Sequence, residues 1–319
     1  MQLELSTDIK SRNTKIMFWG KTASRKTETV LRNFPNVLLI DTEGNSDQCV
    51  GVPEIPPFLR LKTKNSREIM EMLDKVAEGK MKFPDGKPVE TVAIDSWSVS
   101  WSVAQEAAAV SAEKRAEKKG YNVESASMTQ LDWVITKRPM KRILNRLNGT
   151  TVRFFILIAR EKDLYTEKNG ELLKQGVTAD VVRGTEYEMN LVLHFDFDET
   201  GKWFYEVTKV QGALGTLFPP RGKGTTFPIE ELVQYASAFT PNGKRGKDED
   251  EIAGEIVDAE SKPRTYAELL QFGAGYGYDK ESISAILKAA GFQSFKVDNW
   301  DGMCRAVRDV IDRTRLYQG

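Results

Sequence analysis

Histidine, cysteine and net charge are what this sequence has least of. Its 319 residues include one histidine, His194, and two cysteines, Cys49 and Cys304, far apart and with no metal-binding partner nearby. That pattern excludes a disulfide framework and argues against a zinc site. A single histidine also leaves little from which to build a histidine triad or a zinc protease. Lys and Arg total 46 and Asp and Glu total 46, so no global positive field draws the chain to nucleic acid or membrane. Any polyanion has to bind a local patch. No apolar run approaches the roughly 18 residues of a spanning helix, and the opening MQLELSTDIKSRN has no secretory apolar stretch. The expectation is a cytoplasmic protein without a membrane partner. Hydrophobic residues make up 40 % of the chain, enough to build a real core and to exclude bulk disorder.

From Lys15 to about Arg160, short β-rich runs (KIMFWG, NVLLID, TVAIDSW, RFFILIA) alternate with longer helix-like stretches. That alternation predicts parallel strands joined by helical crossovers. MNLVLHFDFDE and KWFYEVTKV, separated by a turn at Gly201, then predict an antiparallel hairpin closing the sheet, and a helix from Ile229 to Ala238 ends the core. Residues 241–263 are rich in charge and nearly free of aromatic side chains, so they bury too little apolar surface to offset the entropy of ordering and are expected to be a linker. Residues 264–319 offer three amphipathic segments, which predict a small helical domain. The expected architecture is thus an α/β core over residues 1–240 with a mainly parallel sheet and a late antiparallel hairpin, a charged linker, and an all-α module.

KIMFWGKTASRKTETVLRNF reads as strand, short loop and helix, the context of a phosphate-binding loop. In GxxxxGK[ST] the loop amides and the helix N-terminus surround phosphates, the lysine adds a point charge, and the hydroxyl ligates magnesium. Here the loop is Gly20, Lys21, Thr22, Ala23, Ser24, Arg25, Lys26 and Thr27, with Arg25 where the pattern has glycine. Read more plainly, the same run is a strand-to-helix turn with lysines on a solvated helix start. Two further features favour the phosphate reading. LLIDTEGN puts Asp41 and Glu43 at the C-terminal edge of a predicted parallel strand, where α/β sites form and where a carboxylate can polarise a water. TVAIDSW carries Asp95 at the end of another apolar strand, as a magnesium-holding aspartate requires.

These pieces resemble the RecA-like P-loop ATPases of bacteriophages, especially phage single-strand annealing proteins with a RecA core. The likeness spans roughly residues 12–236 and rests on GKTASRKT, LLIDTEG, TVAIDS, LDWVITKRPMKRILNRL, FFILIAREKD and the stretch from Glu186 to Gly212. It implies a RecA-like fold, ATP and magnesium as cofactors, single-stranded DNA as partner, and self-assembly into filaments or rings that promote annealing or strand exchange. It further implies that Glu43 is the catalytic glutamate orienting the attacking water, and that Arg160, at the end of FFILIA, stands at the sensor position. Lys209 in EVTKVQG matches a cationic finger reaching a neighbouring subunit, although related sequences show Lys-x-Arg where this chain has Lys209, Val210 and Gln211. Lys209 reads equally well as an edge-strand lysine.

Two segments are candidates for DNA. Residues 112–122 combine Lys114, Arg115, Lys118 and Lys119 with Tyr121, pairing phosphate-neutralising cations with a stacking ring, or else form a helix end with i,i+4 pairs. Residues 161–185 are expected to form a flexible loop or hairpin with Lys162, Tyr165, Lys168, Lys174 and Arg183 as contacts. The helical module suits recruitment of a partner such as a single-strand binding protein. Two other readings stay open: an annealing protein whose altered loop holds nucleotide without hydrolysing it, favoured by Arg25, and a P-loop ATPase acting on protein partners.

Overall fold

A computed structural model of the chain describes residues 13–122, 126–148, 152–168, 171–236, 265–274, 278–292 and 300–316. It divides into two compact units, Met1–Glu249 and Asp250–Gly319. The expected linker, residues 241–263, lies outside the described residues.

The first unit contains β1 (Thr14–Gly20), α1 (Lys26–Asn33), β2 (Val37–Asp41), β3 (Leu59–Lys62), α2 (Ser66–Ala77), β4 (Thr91–Asp95), α3 (Trp97–Lys118) and α4 (Gln130–Asn148). They are followed by β5 (Phe154–Lys168), β6 (Glu171–Ala179), β7 (Leu191–Phe197), β8 (Trp203–Val210), β9 (Lys223–Gly224) and α5 (Ile229–Ala236). The strands make one mixed sheet in the order β3-β2-β4-β5-β1-β7-β8-β9, with β6 added to β5. From β3 across to β7 every pairing is parallel, while β8, β9 and β6 run antiparallel to their neighbours. The class is α/β with a mostly parallel sheet, and β7 and β8 form the late antiparallel hairpin that the sequence predicts.

Both faces of this sheet are covered, which is why its central strands read as unbroken apolar runs rather than alternating ones. Met17, Trp19, Leu38, Ile40, Val92, Ile94, Phe155 and Leu157 pack with Ile69, Leu73, Trp97, Met140 and Ile143 of α2, α3 and α4. Their neighbours along each strand, Ile16, Phe18, Leu39, Ala93, Phe154 and Ile156, face the other way onto Val30 and Leu31 of α1 and Leu232 and Ala236 of α5. Phe18 is fully buried against Phe34, Phe195 and Phe227, and Phe18→Ala removes about 3–5 kcal/mol of stability. The side-chain oxygens of Asn65 and Ser96 cap α2 and α3, accepting from Arg67 N and Val99 N. At the β7–β8 turn, the Asp198 carboxylate accepts from Thr200 N at 2.9 Å and Lys202 N at 2.9 Å, and Gly201 supplies the positive φ of 78°.

Strand β5 does two jobs. Residues 154–160 lie between β4 and β1 in the core of the sheet, and the rest continues past the sheet edge to pair with β6. Residues 161–168 and 171–179 therefore pair as the arms of a hairpin, the second of the two forms expected of this region. Its pairing carries a register shift at Leu164/Tyr165.

In the second unit α6 (Tyr266–Ala274), α7 (Lys280–Ala289) and α8 (Trp300–Leu316) bury Leu269, Ile283, Leu287, Met303, Cys304, Val307 and Ile311 together. Asp279 caps α7, accepting from Ser282 N at 2.8 Å. Among the described residues, no helix is long and apolar enough to cross a membrane.

Candidate functional site

Sheet register brings the candidate residues to one edge. Asp41 of β2 pairs with Asp95 of β4, Asp95 pairs with Ile158 of β5, and Gly20 of β1 pairs with Arg160 of β5. Gly20, Asp41 and Asp95 thus stand at the C-terminal ends of parallel strands, with Arg160 level with them on β5, at the edge where open α/β sheets bind ligands. Gly20 is obligatory there: with φ at 143°, a Cβ would lie 1.9 Å from the carbonyl oxygen of Phe195 on β7.

Beyond Gly20 the chain makes a tight loop into α1 in which Ala23 and Arg25 both have φ of 63°. The Lys26 ammonium folds back over this loop and donates to Gly20 O at 3.0 Å, Lys21 O at 2.5 Å and Ser24 Oγ at 3.1 Å. Ser24 is buried and its hydroxyl donates to Lys21 O at 2.7 Å. Thr27, one residue into the helix, donates from Oγ1 to Asp95 Oδ2 at 2.5 Å. Lys21 turns away to an ion pair with Asp196 at 2.7 Å.

The neighbouring strand ends are locked by reciprocal bonds. Thr42 N donates to Asp95 O at 2.7 Å, Thr42 Oγ1 to Ser96 O at 2.9 Å, and Ser96 N to Thr42 Oγ1 at 2.8 Å. Asp41 is buried and shapes the loop after β2: its carboxylate accepts from Gly44 N at 2.6 Å, Glu43 N at 3.1 Å, Ser46 N at 3.1 Å and the Ser46 hydroxyl. This loop turns Glu43 toward Arg160, whose Nε donates to Glu43 Oε1 at 2.9 Å, with Asn45 Nδ2 at 3.3 Å from the other oxygen. Arg160 is itself anchored through its backbone N to Ser98 Oγ at 2.9 Å.

Thr22 to Thr27, Glu43, Asn45, Ser46, Asp95, Ser96 and Arg160 line one cavity of about 420 Å³. Burial pushes the Lys26 ammonium down to about 8, against the pull of Asp95, Glu43 and Glu161. Burial, together with the nearby Glu43 and Asp41 carboxylates, pushes Asp95 up to about 6 despite the Thr27 hydrogen bond. For Glu43, burial acts upward but is outweighed by hydrogen bonds from Arg160 and Ser96, which leave it below its ordinary value and ionised at neutral pH. Among the described residues no group of three or more His, Cys, Asp or Glu side chains is placed to hold a metal alone. The Thr27 hydroxyl and the Asp95 carboxylate instead stand side by side as a pair of oxygen donors, the atom type that hard cations take as ligands.

The other candidates lie elsewhere. Lys209 donates to the carbonyls of Glu186 at 2.6 Å and Tyr187 at 3.1 Å, closing a turn of its own chain. Lys114, Lys118 and Lys119 are exposed at the end of α3, and Tyr121 beyond it is 67 % exposed. Arg115 forms a fork with the buried Asp132 of α4, at 2.5 and 2.6 Å, which holds the Asp132 carboxyl well below the usual carboxylate range. In the β5–β6 hairpin Lys162 pairs with Asp180 at 3.0 Å and Lys174 with Asp163 at 2.6 Å, while Tyr165 donates to Asp163 at 3.1 Å. Lys168 pairs with Glu171 in the ladder, and its side chain is outside the described ones. Arg183 is exposed after β6.

A cationic surface that sequence reasoning passed over lies on α4. Lys137, Arg138 and Lys141 are exposed without an ion pair among the described residues, on the helix that also exposes Trp133 and Val134. In the sequence this surface shows only as the basic cluster KRPMKR inside a helix-like stretch. No protein-family model matches the chain, and no curated protein matches it in sequence.

Proposed function

We propose that this chain is a magnesium-dependent, RecA-like P-loop ATPase acting on single-stranded DNA, assembling on it to promote annealing or strand exchange. The observation that carries the nucleotide half is the convergence of Lys26, Thr27, Asp95, Glu43 and Arg160 on one cavity from four different strand ends. An ordinary strand-to-helix turn has no need of three carboxylates and a half-buried ammonium at the same sheet edge.

In this reading Lys26 exchanges its three loop acceptors for phosphate oxygens, and the α1 N-terminus adds its amides. Thr27 and Asp95 are the residues that would hold magnesium, which when bound neutralises phosphate charge. Glu43, ionised and steered by Arg160, accepts a proton from the water that attacks the terminal phosphorus, so that ATP and water become ADP and inorganic phosphate. Retention of this glutamate favours hydrolysis over passive binding.

Support for the DNA half comes from the resemblance and from Lys137, Arg138 and Lys141 of α4, exposed without an ion pair among the described residues beside an exposed tryptophan, a combination suited to phosphates and a stacked base. The hairpin lysines paired to aspartates contribute less. Nucleotide binding and turnover in the wild type and Glu43→Gln test the assignment. The substitution keeps ATP affinity and lowers turnover by about 100-fold or more. Undiminished turnover removes Glu43 from the mechanism.

A further inference from the structure

Arg25 stands where a phosphate-binding loop ordinarily has glycine, and it holds the backbone such a glycine would adopt, φ 63° and ψ 19°. A side chain in this left-handed region carries a steric penalty that glycine escapes. The backbone role does not require the side chain: the Arg25 carbonyl accepts the first helical bond from Thr29 N at 2.8 Å, as any residue's would.

The rest of the fold engages the guanidinium only loosely. It forms an ion pair with Glu28 at 3.9 Å, too long for a hydrogen bond, and Glu28 is held more closely by Arg32 at 2.6 Å. The neighbouring cations Lys21 and Arg160 are committed, to Asp196 and to Glu43. Arg25 nevertheless lines the same cavity as Lys26, with its side chain 57 % exposed at the mouth. A strained residue with a loosely held, permanently charged fork of donors beside a phosphate loop has a natural ligand, since guanidinium matches phosphate geometry bidentately.

We infer that Arg25 is a phosphate-contacting residue of this pocket, supplying in the same chain a cation that binds the polyphosphate of the nucleotide alongside Lys26. The inference rests on the nucleotide reading above. It turns the departure from the glycine pattern into a second anion anchor rather than a lesion, with backbone strain exchanged for ligand affinity.

The test is binding of ATP and of inorganic tripolyphosphate, which has no base or sugar, to the full chain carrying Arg25→Ala, Arg25→Gly or Arg25→Lys, with Lys26→Ala as reference. Arg25→Ala and Arg25→Gly weaken both ligands by about tenfold, the equivalent of one charge-assisted hydrogen bond, and Arg25→Lys recovers part of the loss. Arg25→Gly also melts at a higher temperature than wild type, because the strain is relieved, so its lost affinity is not a folding defect. Wild-type or tighter binding by Arg25→Gly, with Lys26→Ala still disabled, overturns the role of Arg25 and leaves the nucleotide reading standing. Undiminished binding by Lys26→Ala overturns the nucleotide reading and the inference with it.

Discussion

Raising the pH from 7 to 9 weakens nucleotide binding, because the bound state needs a proton on Lys26 that the ligand-free protein gives up at about 8. The cause of that low value is burial, which outweighs the pull of Asp95, Glu43 and Glu161, while the ammonium's hydrogen-bond acceptors, Gly20 O, Lys21 O and Ser24 Oγ, are all uncharged. Phosphate oxygens in their place raise it, so binding takes up a proton wherever the free lysine is partly neutral. Below about pH 7 the lysine is charged in both states and affinity is level. Above about pH 8, each binding event first protonates the lysine, and affinity falls about tenfold between pH 7 and pH 9. Phosphate ionisation near pH 6 is about nine-tenths complete at pH 7 and adds only a slight slope of the opposite sign. Calorimetric titration with ATP in two buffers of different ionisation enthalpy reads both quantities, with uptake approaching one proton per site at pH 9. In Lys26→Ala the slope disappears along with most of the affinity. A level wild-type profile from pH 7 to 9, or the same slope surviving in Lys26→Ala, refutes the reasoning.

Asp95 bears the opposite strain. Its folded value of about 6 against an ordinary 3.8 means that stability from this group is complete below 3.8 and is lost as pH rises through 6, about 3 kcal/mol in all. Asp95→Asn is therefore more stable than wild type at pH 7 in thermal melting without ligand, while magnesium no longer tightens its nucleotide binding. Asp132 works in the other direction: its lowered value contributes stability above the ordinary carboxylate range that is lost on acidification, so Asp132→Asn melts lower than wild type at pH 7 and the gap narrows toward pH 3. Lys209→Ala loses two hydrogen bonds to its own chain and costs about 1 kcal/mol in denaturant unfolding of the free protein. Unchanged stability with DNA-stimulated turnover abolished would instead restore its role as an intersubunit finger.

The strands that build the site were readable because parallel strands covered on both faces leave apolar runs, and KIMFWG, VLLID and TVAID are such runs. Chain order then put Lys26, Glu43 and Asp95 at strand ends. What stayed hidden was lateral. Arg160 meets Glu43 through the register of β5 with β1 and β4, a relation across 117 residues that no local pattern carries. Residues 161–179 lack one-sided alternation, since Leu164 and Leu173 share one face of the hairpin while Tyr165 and Leu172 share the other, so loop and hairpin read alike. Pairing also decides which cations are free: Lys162, Lys174 and Arg115 look available in sequence but face aspartates in the fold, whereas Lys137, Arg138 and Lys141 do not. Arg25 reads as a defect on the page of letters. Its backbone angles and loosely engaged guanidinium give it a use.

The central claim is that this cavity binds and turns over ATP under the control of single-stranded DNA. Phosphate release from ATP, with and without single-stranded DNA, in the wild type and in Lys26→Ala, addresses it most directly. The account predicts turnover that rises when DNA is added and vanishes in Lys26→Ala under both conditions. Turnover in Lys26→Ala equal to that of the wild type, or none in either protein with DNA present, contradicts it.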